Sequence, residues 1–193
     1  DYTDKYQIIS RFPKDIMLNL VLFARYDKIR SVTVNGKEIN YKVDGNAIGN
    51  PVIIIETEIS NKAEVRIRWK GSEIEVPVIH DFYAQGDIMD IQLKLASVLD
   101  IYDPQKILNI TRRNEKNLSA GLKGELGRKT AFLKLKQNNL VWWQAVSFDL
   151  FPPVQFIYEE LQPKDKLAFK IQNNLSKPLI GRWSVGSMKE SIE

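Results

Sequence analysis

The sequence predicts an all-β protein with two tandem antiparallel immunoglobulin-like β-sandwich domains. Residues 63–70 alternate strictly between apolar and charged side chains. This is the pattern of a half-buried strand, because successive side chains leave the backbone on opposite sides. The same alternation returns along most of the chain, and no long helical stripe interrupts it. A chain of 193 residues, of which 44% are hydrophobic, is also sufficient for two small cores.

The first half of the chain predicts a sandwich of short strands separated by turns. The segment 15–25 is apolar on both faces, which is typical of a central strand covered on both sides. Asn35-Gly36 tolerates positive φ and predicts a tight hairpin. Regularly spaced short strands of this kind are typical of a β-sandwich. The predicted strands are 6–12, 15–25, 29–34, 38–43, 51–59, 63–70 and 73–79.

The alternation of apolar and polar residues is interrupted around residues 80–86. We place the domain boundary there, between a domain at 1–82 and a domain at 83–193. Asn138-Asn139 predicts a hairpin between two strongly alternating strands. Pro152-Pro153 does not fit inside a central strand, so the chain is expected to cross between sheets there. The predicted strands of this half are 88–99, 107–111, 118–125, 130–137, 140–150, 154–161, 167–173 and 179–185.

Composition narrows the classes of partner. The net charge of +4 is spread among interleaved acids and bases, whereas a nucleic-acid binder concentrates positive charge on one face, so no nucleic-acid partner is predicted. No apolar run approaches the ~20 residues of a membrane helix, so no membrane span is predicted. The chain contains no cysteine, which excludes disulfides and thiolate metal sites.

The inventory of reactive side chains predicts no enzyme. A serine triad would have to use His80, the only histidine, which lies in the predicted linker away from any Gly-x-Ser-x-Gly pattern. A glycosidase needs two tuned carboxylates. Here the acids fall on predicted strand exteriors or turns, where burial would not raise their pKa. These acids include Glu56, Glu58, Glu64, Glu73 and Glu75.

Oxygen ligands for calcium are the remaining metal hypothesis. Asp90, Asp100 and Asp103 lie near one another in the sequence, but their spacing lacks the dense acidic loop of calcium motifs. The chain is therefore predicted to hold no metal and no cofactor.

Aromatic residues are the best lead to a ligand, because sugar rings have apolar faces that stack on Trp and Tyr. Strand parity places Trp69 and Trp183 in the core. Trp142 shares parity with Val146 and Phe148, so its neighbour Trp143 must face outward or towards the other domain.

An outward tryptophan has two interpretations. Either it packs under a loop or at an interface, or it forms part of a ligand-binding surface. Phe132 and Lys134 share one face of the neighbouring predicted strand. If that face also carries Trp143, these three residues form the best ligand-binding patch that the sequence offers.

Part of the sequence resembles a known module. The segments 100–108, 121–124 and 127–132, followed by Trp142-Trp143, resemble an accessory β-sandwich module of large secreted Bacteroidetes proteins associated with glycan degradation. Such modules often stand beside glycosidase-like (α/α) toroid domains. The resemblance covers roughly residues 95–190 and brings no assigned ligand site.

The resemblance implies a context and a function. It implies a non-catalytic accessory module pair of a larger carbohydrate-active protein, in the periplasm, at the cell surface or secreted, although no signal peptide is recognisable in the chain. The pair would scaffold its neighbours or bind glycan weakly, with a polysaccharide or oligosaccharide and the neighbouring domains of a longer parent chain as partners. The alternative is a structural spacer or protein-interaction module of a cell-surface protein, with no ligand of its own.

Overall fold

A computed structural model describes residues 2–160 and 167–180, and this part of the chain consists of strands and turns without any helix. The predicted all-β class is therefore confirmed. Accordingly, none of the described residues form a helix long and apolar enough to cross a membrane.

The strands of residues 2–73 form two antiparallel sheets. The four-stranded sheet runs in the order β1, β7, β3, β4, and the three-stranded sheet in the order β2, β6, β5. The strands are β1 (Tyr2–Ile9), β2 (Ile16–Phe23), β3 (Tyr26–Val34), β4 (Lys37–Glu38), β5 (Lys42–Asp44), β6 (Val52–Ile59) and β7 (Lys62–Glu73). The Asn35-Gly36 turn joins β3 to β4, and both residues have positive φ, as the dipeptide predicts.

The alternation on β7 produces the predicted buried face. Val65, Ile67 and Trp69 are fully buried. The indole Nε1 of Trp69 donates a hydrogen bond to Asp4 Oδ2 over 2.9 Å, so its polar atom is satisfied inside the core. The predicted core position of Trp69 is confirmed, whereas Trp183 lies outside the described residues.

The prediction for β2 was wrong. Among residues 2–160 and 167–180, this strand pairs with β6 alone and is thus an edge strand of its sheet rather than a central one. One face packs towards the core, while Met17, Val21 and Phe23 on the other face are exposed. An apolar run identifies a strand, but it does not establish that both faces are covered by this chain.

The predicted strand at 73–79 was also wrong, because β7 ends at Glu73 and residues 74–81 pair with no strand of the described chain. We call residues 74–81 the connecting segment. Val76 and Val78 are exposed in it, although their alternation is that of a strand.

The strands of residues 82–151 form two further sheets. One has the order β10, β13, β14, β8, where β8 and β14 are parallel and the other pairs antiparallel, and the second has the order β11, β12, β9. The strands are β8 (Phe82–Ala84), β9 (Ile88–Gln92), β10 (Ser97–Tyr102), β11 (Leu108–Arg113), β12 (Asn117–Leu122), β13 (Gly127–Gln137) and β14 (Leu140–Phe151). The single strand predicted at 88–99 is thus two strands in different sheets.

A separate hairpin follows Pro152-Pro153. It consists of β15 (Val154–Glu160) and β16 (Leu167–Asn173), which pair with each other and with no other described strand. The base is held by Asn174, whose backbone N–H donates to Pro153 O and whose side chain donates to Pro152 O. Of the predicted strand 179–185, residues 179–180 are not in a strand and the rest lie outside the described residues.

The two groups of strands, β1–β7 and β8–β14, pair within themselves. Within the described residues, one isolated parallel bridge, between Ile48 and Trp143, joins them. Their buried hydrophobic residues belong to one continuous cluster. The chain is therefore an assembly of several, mainly antiparallel sheets, while the division at residue 82, which falls within β8, stays a prediction.

Candidate functional site

The three residues predicted to form a ligand patch lie on one face of the sheet β10-β13-β14-β8. Lys134 is directly opposite Trp143 in the antiparallel register, and Phe132 is opposite Ala145. Leu133 on the other side of β13 is fully buried, so the intervening positions point outward. The structure thus brings Phe132, Lys134 and Trp143 together.

The side chains of Trp142 and Trp143 lie on opposite faces of the sheet, as strand parity predicts. Trp142 is fully buried in the core, whereas Trp143 is half-buried on the outer face. The backbone of Trp143 is also paired: its N–H donates to Ala47 O, and its carbonyl accepts from Gly49 N, both over 2.8 Å. The β5–β6 loop therefore covers the edge of β14 at this point, and exposed Ile48 lies beside Trp143.

A fourth residue, Tyr102, extends the aromatic surface across β10. Tyr102 is opposite Phe132, and the centroids of the two rings are 6.1 Å apart with an angle of 33° between their planes. Tyr102 is 58% exposed. We call Tyr102, Phe132, Lys134 and Trp143 the platform. Its rings span three strands, which corresponds to roughly 10 Å across the sheet.

Charge on the platform is concentrated at Lys134. Its Nζ lies 5.4 Å from the centroid of the Trp143 ring, within the range of a cation–π contact. Asp100 is opposite Lys134 on the other side, and its Oδ1 accepts from the N–H of Ile101. Further along the sheet, Arg128 and Asp149 form an ion pair of 3.3 Å.

Sequence reasoning missed Tyr102 and Ile48 as neighbours of the patch. Tyr102 lies within the segment 100–108, which resembles the accessory module. Its pairing with Phe132 joins positions 30 residues apart, and strand parity does not predict partners at that separation. Ile48 reaches Trp143 through a loop, for which alternation gives no signal.

A second region gathers polar side chains around His80. A cavity of about 450 Å³ is lined by residues that include His80, Tyr83, Asp87 and Ser176. The Ser176 hydroxyl donates directly to Asp87 Oδ1 over 2.9 Å, whereas the His80 ring packs edge-on against Tyr83. In a catalytic triad the histidine lies between serine and carboxylate, so these contacts have a different order.

The contacts of Asp87 explain why these residues meet. Its carboxylate also accepts hydrogen bonds from the backbone N–H groups of Ala84 and Ser176. It therefore fastens the segment after β16 to the turn between β8 and β9. Burial of the nearby Tyr83 raises the pKa of its phenol above the ordinary value.

The acids of the calcium hypothesis are engaged separately. Asp90 accepts from the Ser119 hydroxyl, and Asp103 Oδ2 accepts from the N–H of Leu108 over 2.8 Å. Within residues 2–160 and 167–180, no three His, Asp or Glu side chains come together as a metal ion requires.

Glu75 differs from the expectation that the acids lie at strand exteriors. Its carboxylate accepts 2.7 Å hydrogen bonds from three successive backbone N–H groups, those of Lys94, Leu95 and Ala96. Burial raises its pKa, but these donors together with Lys116 outweigh burial, and the net pKa is lowered. Glu75 therefore fixes the connecting segment to the turn between β9 and β10.

Comparison with protein-family models, curated proteins and solved structures finds no match for this chain. The resemblance to an accessory module of glycan-degrading proteins therefore stays a prediction.

Proposed function

We propose that this chain is a non-catalytic accessory module pair of a larger carbohydrate-active protein and that the platform binds glycan weakly. The observation that carries the proposal is the convergence of Phe132, Lys134 and Trp143 on one outward face, extended by the exposed ring of Tyr102. A row of aromatic side chains on one sheet face offers stacking surfaces to the apolar faces of successive sugar rings.

The shape of the platform determines the length of the sugar that it can bind and the affinity of binding. It is an open sheet face rather than an enclosed pocket, so a bound sugar buries one side and keeps the other in water. Small-molecule sites with high affinity bury most of the ligand surface, and weak binding is therefore expected. The spread of Tyr102, Phe132 and Trp143 over three strands favours an oligosaccharide over a monosaccharide.

The wider context belongs to the same proposal. The parent protein would work in the periplasm, at the cell surface or outside the cell, and its neighbouring domains would carry out the chemistry. Ser176 bonds directly to Asp87 while His80 packs against Tyr83, so the three residues lack the order of a catalytic triad, which supports a module that does not itself catalyse. The two strand groups would act as tandem immunoglobulin-like sandwiches.

A second candidate function is a spacer that contacts neighbouring domains. The specific observation in its favour is the exposed apolar row Met17, Val21 and Phe23 on the edge strand β2. Long exposed apolar edge strands invite pairing or packing with another surface. In this alternative, the pairing of Trp143 with the β5–β6 loop serves only to hold the two strand groups together.

Titration of the chain with xylo-, manno-, cello- and galacto-oligosaccharides, followed by tryptophan fluorescence, tests the proposal. Trp143→Ala is the informative variant, because the hydrogen bonds of Trp143 to Ala47 and Gly49 use backbone atoms and survive the substitution. Phe12→Ala removes an exposed aromatic ring outside the platform and is the matched control.

The proposal predicts saturable binding that Trp143→Ala abolishes and Phe12→Ala leaves unchanged. Binding that persists in Trp143→Ala would place the site elsewhere. Failure of every oligosaccharide to bind would favour the spacer.

A further inference from the structure

The ammonium group above Trp143 restricts which sugars the platform accepts. Lys134 Nζ lies 5.4 Å from the centroid of the Trp143 ring, and thus occupies the space in which a sugar would stack. The negative face of the indole attracts the cation. A sugar that stacks on this face of the ring therefore has to displace the ammonium group.

Displacement has different consequences for neutral and anionic sugars. A neutral sugar ends the contact between cation and ring and offers the ammonium group only hydroxyl oxygens in exchange. A sugar carboxylate gives the displaced ammonium group an opposite charge at hydrogen-bond distance, and charge-assisted hydrogen bonds are stronger than neutral ones. The pairing of Lys134 with Trp143 therefore discriminates in favour of an anionic sugar.

We infer that the platform recognises oligosaccharides that contain uronic acid, with the sugar ring on Trp143 and its carboxylate on Lys134. This inference rests on the proposed glycan-binding function and specifies its ligand class. It assigns Lys134 the role of selecting charge, and Trp143 the role of binding any sugar.

The surrounding charges fit this ligand. Lys136 occupies the next outward position on β13, is exposed, and adds a second positive charge on the same face. Asp100 is the acid directly across from Lys134, on the side away from Trp143. The charges of Arg128 and Asp149 offset each other in their ion pair. The strip next to Trp143 is therefore positive.

Two tetrasaccharides that differ only at C6 test the inference, cellotetraose and the β-1,4-linked glucuronate tetramer. Cellotetraose sulfated at C6 distinguishes a requirement for carboxylate from a requirement for any negative charge. Affinities are measured by calorimetry at two NaCl concentrations on the wild-type chain and three variants. Lys134→Met keeps the aliphatic length and removes the charge, Asp100→Asn removes the opposing acid, and Trp143→Ala removes the ring.

We expect the glucuronate tetramer to bind more tightly than cellotetraose, with an affinity that falls as salt screens the pair. Lys134→Met should weaken glucuronate binding by roughly fivefold, the effect of a partly exposed ion pair, and should remove the preference. Asp100→Asn should strengthen glucuronate binding, and Trp143→Ala should weaken both tetramers by at least about tenfold.

Equal affinity for the two tetramers, or a preference that survives Lys134→Met, would overturn the inference and leave the proposed function standing. Equal binding of the sulfated and carboxylated tetramers would support a charge-selective platform without selectivity for carboxylate, and would thus overturn the uronate assignment. If neither charged nor neutral tetramer binds, the uronate inference is overturned, whereas the proposed function fails only if the xylo-, manno- and galacto-oligosaccharides also do not bind.

Discussion

Gln137 Nε2 donates a hydrogen bond to Asp27 Oδ2 over 3.1 Å, so the end of β13 is bonded to a carboxylate on β3. Both side chains are buried. Gln137 also donates to Glu73 O over 2.8 Å and accepts from the N–H of Glu75 over 2.9 Å. The amide of Gln137 thus connects the β13–β14 hairpin to β3 and to the end of β7 in the other strand group.

Gln137→Ala is expected to lower the free energy of unfolding by about 1–3 kcal/mol, because it removes one of the donors to the Asp27 carboxylate and leaves the Glu73 carbonyl and the Glu75 N–H without their partner. The Asp27 carboxylate keeps its hydrogen bonds from the Ser72 N–H and the Asn138 side chain. In a double-mutant cycle with Asp27→Asn, the two substitutions should couple by roughly 0.5–3 kcal/mol. Urea denaturation of the four proteins measures both quantities. Strict additivity would show that the contact does not link the two strand groups energetically.

Gly71→Ala should be more destabilising than Gly36→Ala. Both glycines have positive φ, which costs a residue with a side chain roughly 1–2 kcal/mol. A Cβ at Gly36 meets open space, but one at Gly71 would collide with Asp27 Oδ1 and displace the carboxylate that Gln137 and Ser72 bind. Thermal melts of the two variants give the comparison, and equal losses would mean that Asp27 moves without cost.

Glu75 predicts a pH dependence of stability. Since its folded pKa lies below the ordinary value of 4.5, the carboxylate stabilises the fold above pH 4.5, and this contribution is lost as the pH falls through the folded pKa. Glu75→Gln should therefore be less stable than wild type at neutral pH and should approach it in acid.

Urea denaturation between pH 7 and pH 3 measures this convergence. Glu56→Gln is the matched control, because Glu56 is exposed and bonded to Lys42 rather than to backbone N–H groups. A constant difference between wild type and Glu75→Gln across this range would contradict the contribution assigned to the charged carboxylate.

Trp69→Ala should cost about 3–5 kcal/mol, as deletion of a fully buried aromatic side chain does. Trp69→Phe isolates the polar part of the loss, because it fills most of the space but removes the donor to Asp4 Oδ2. A melting temperature of Trp69→Ala within a degree or two of wild type would show that the ring does not support the core. The same cost for Trp183→Ala stays a prediction.

Local patterns predicted the features that depend on the strand period or on a turn-forming dipeptide. The buried face of β7, the opposite orientations of Trp142 and Trp143, and the Asn35-Gly36 turn all follow from neighbouring residues. The convergence of Phe132, Lys134 and Trp143 also followed, since a two-residue hairpin fixes the register between β13 and β14.

The failures share one physical cause, dependence on distant partners. Whether both faces of β2 are covered depends on packing that the strand does not encode, and the alternation of the connecting segment does not ensure a partner strand among the described residues. The sequence around Glu75 is that of an ordinary surface acid, because its three N–H donors come from the turn between β9 and β10, which is distant in the sequence. Tyr102 joins the platform only through the pairing of β10 with β13.

Proton–nitrogen NMR of the indole groups tests the central claim most directly, because it reports each tryptophan separately. On addition of cellotetraose or its glucuronate counterpart, we predict a saturable shift of the Trp143 indole N–H and of the Phe132 and Lys134 amides. The indole signals of Trp69 and Trp142, which are fully buried, should not move. An unchanged Trp143 signal with both sugars, or shifts concentrated around His80, would contradict a glycan-binding platform on this sheet.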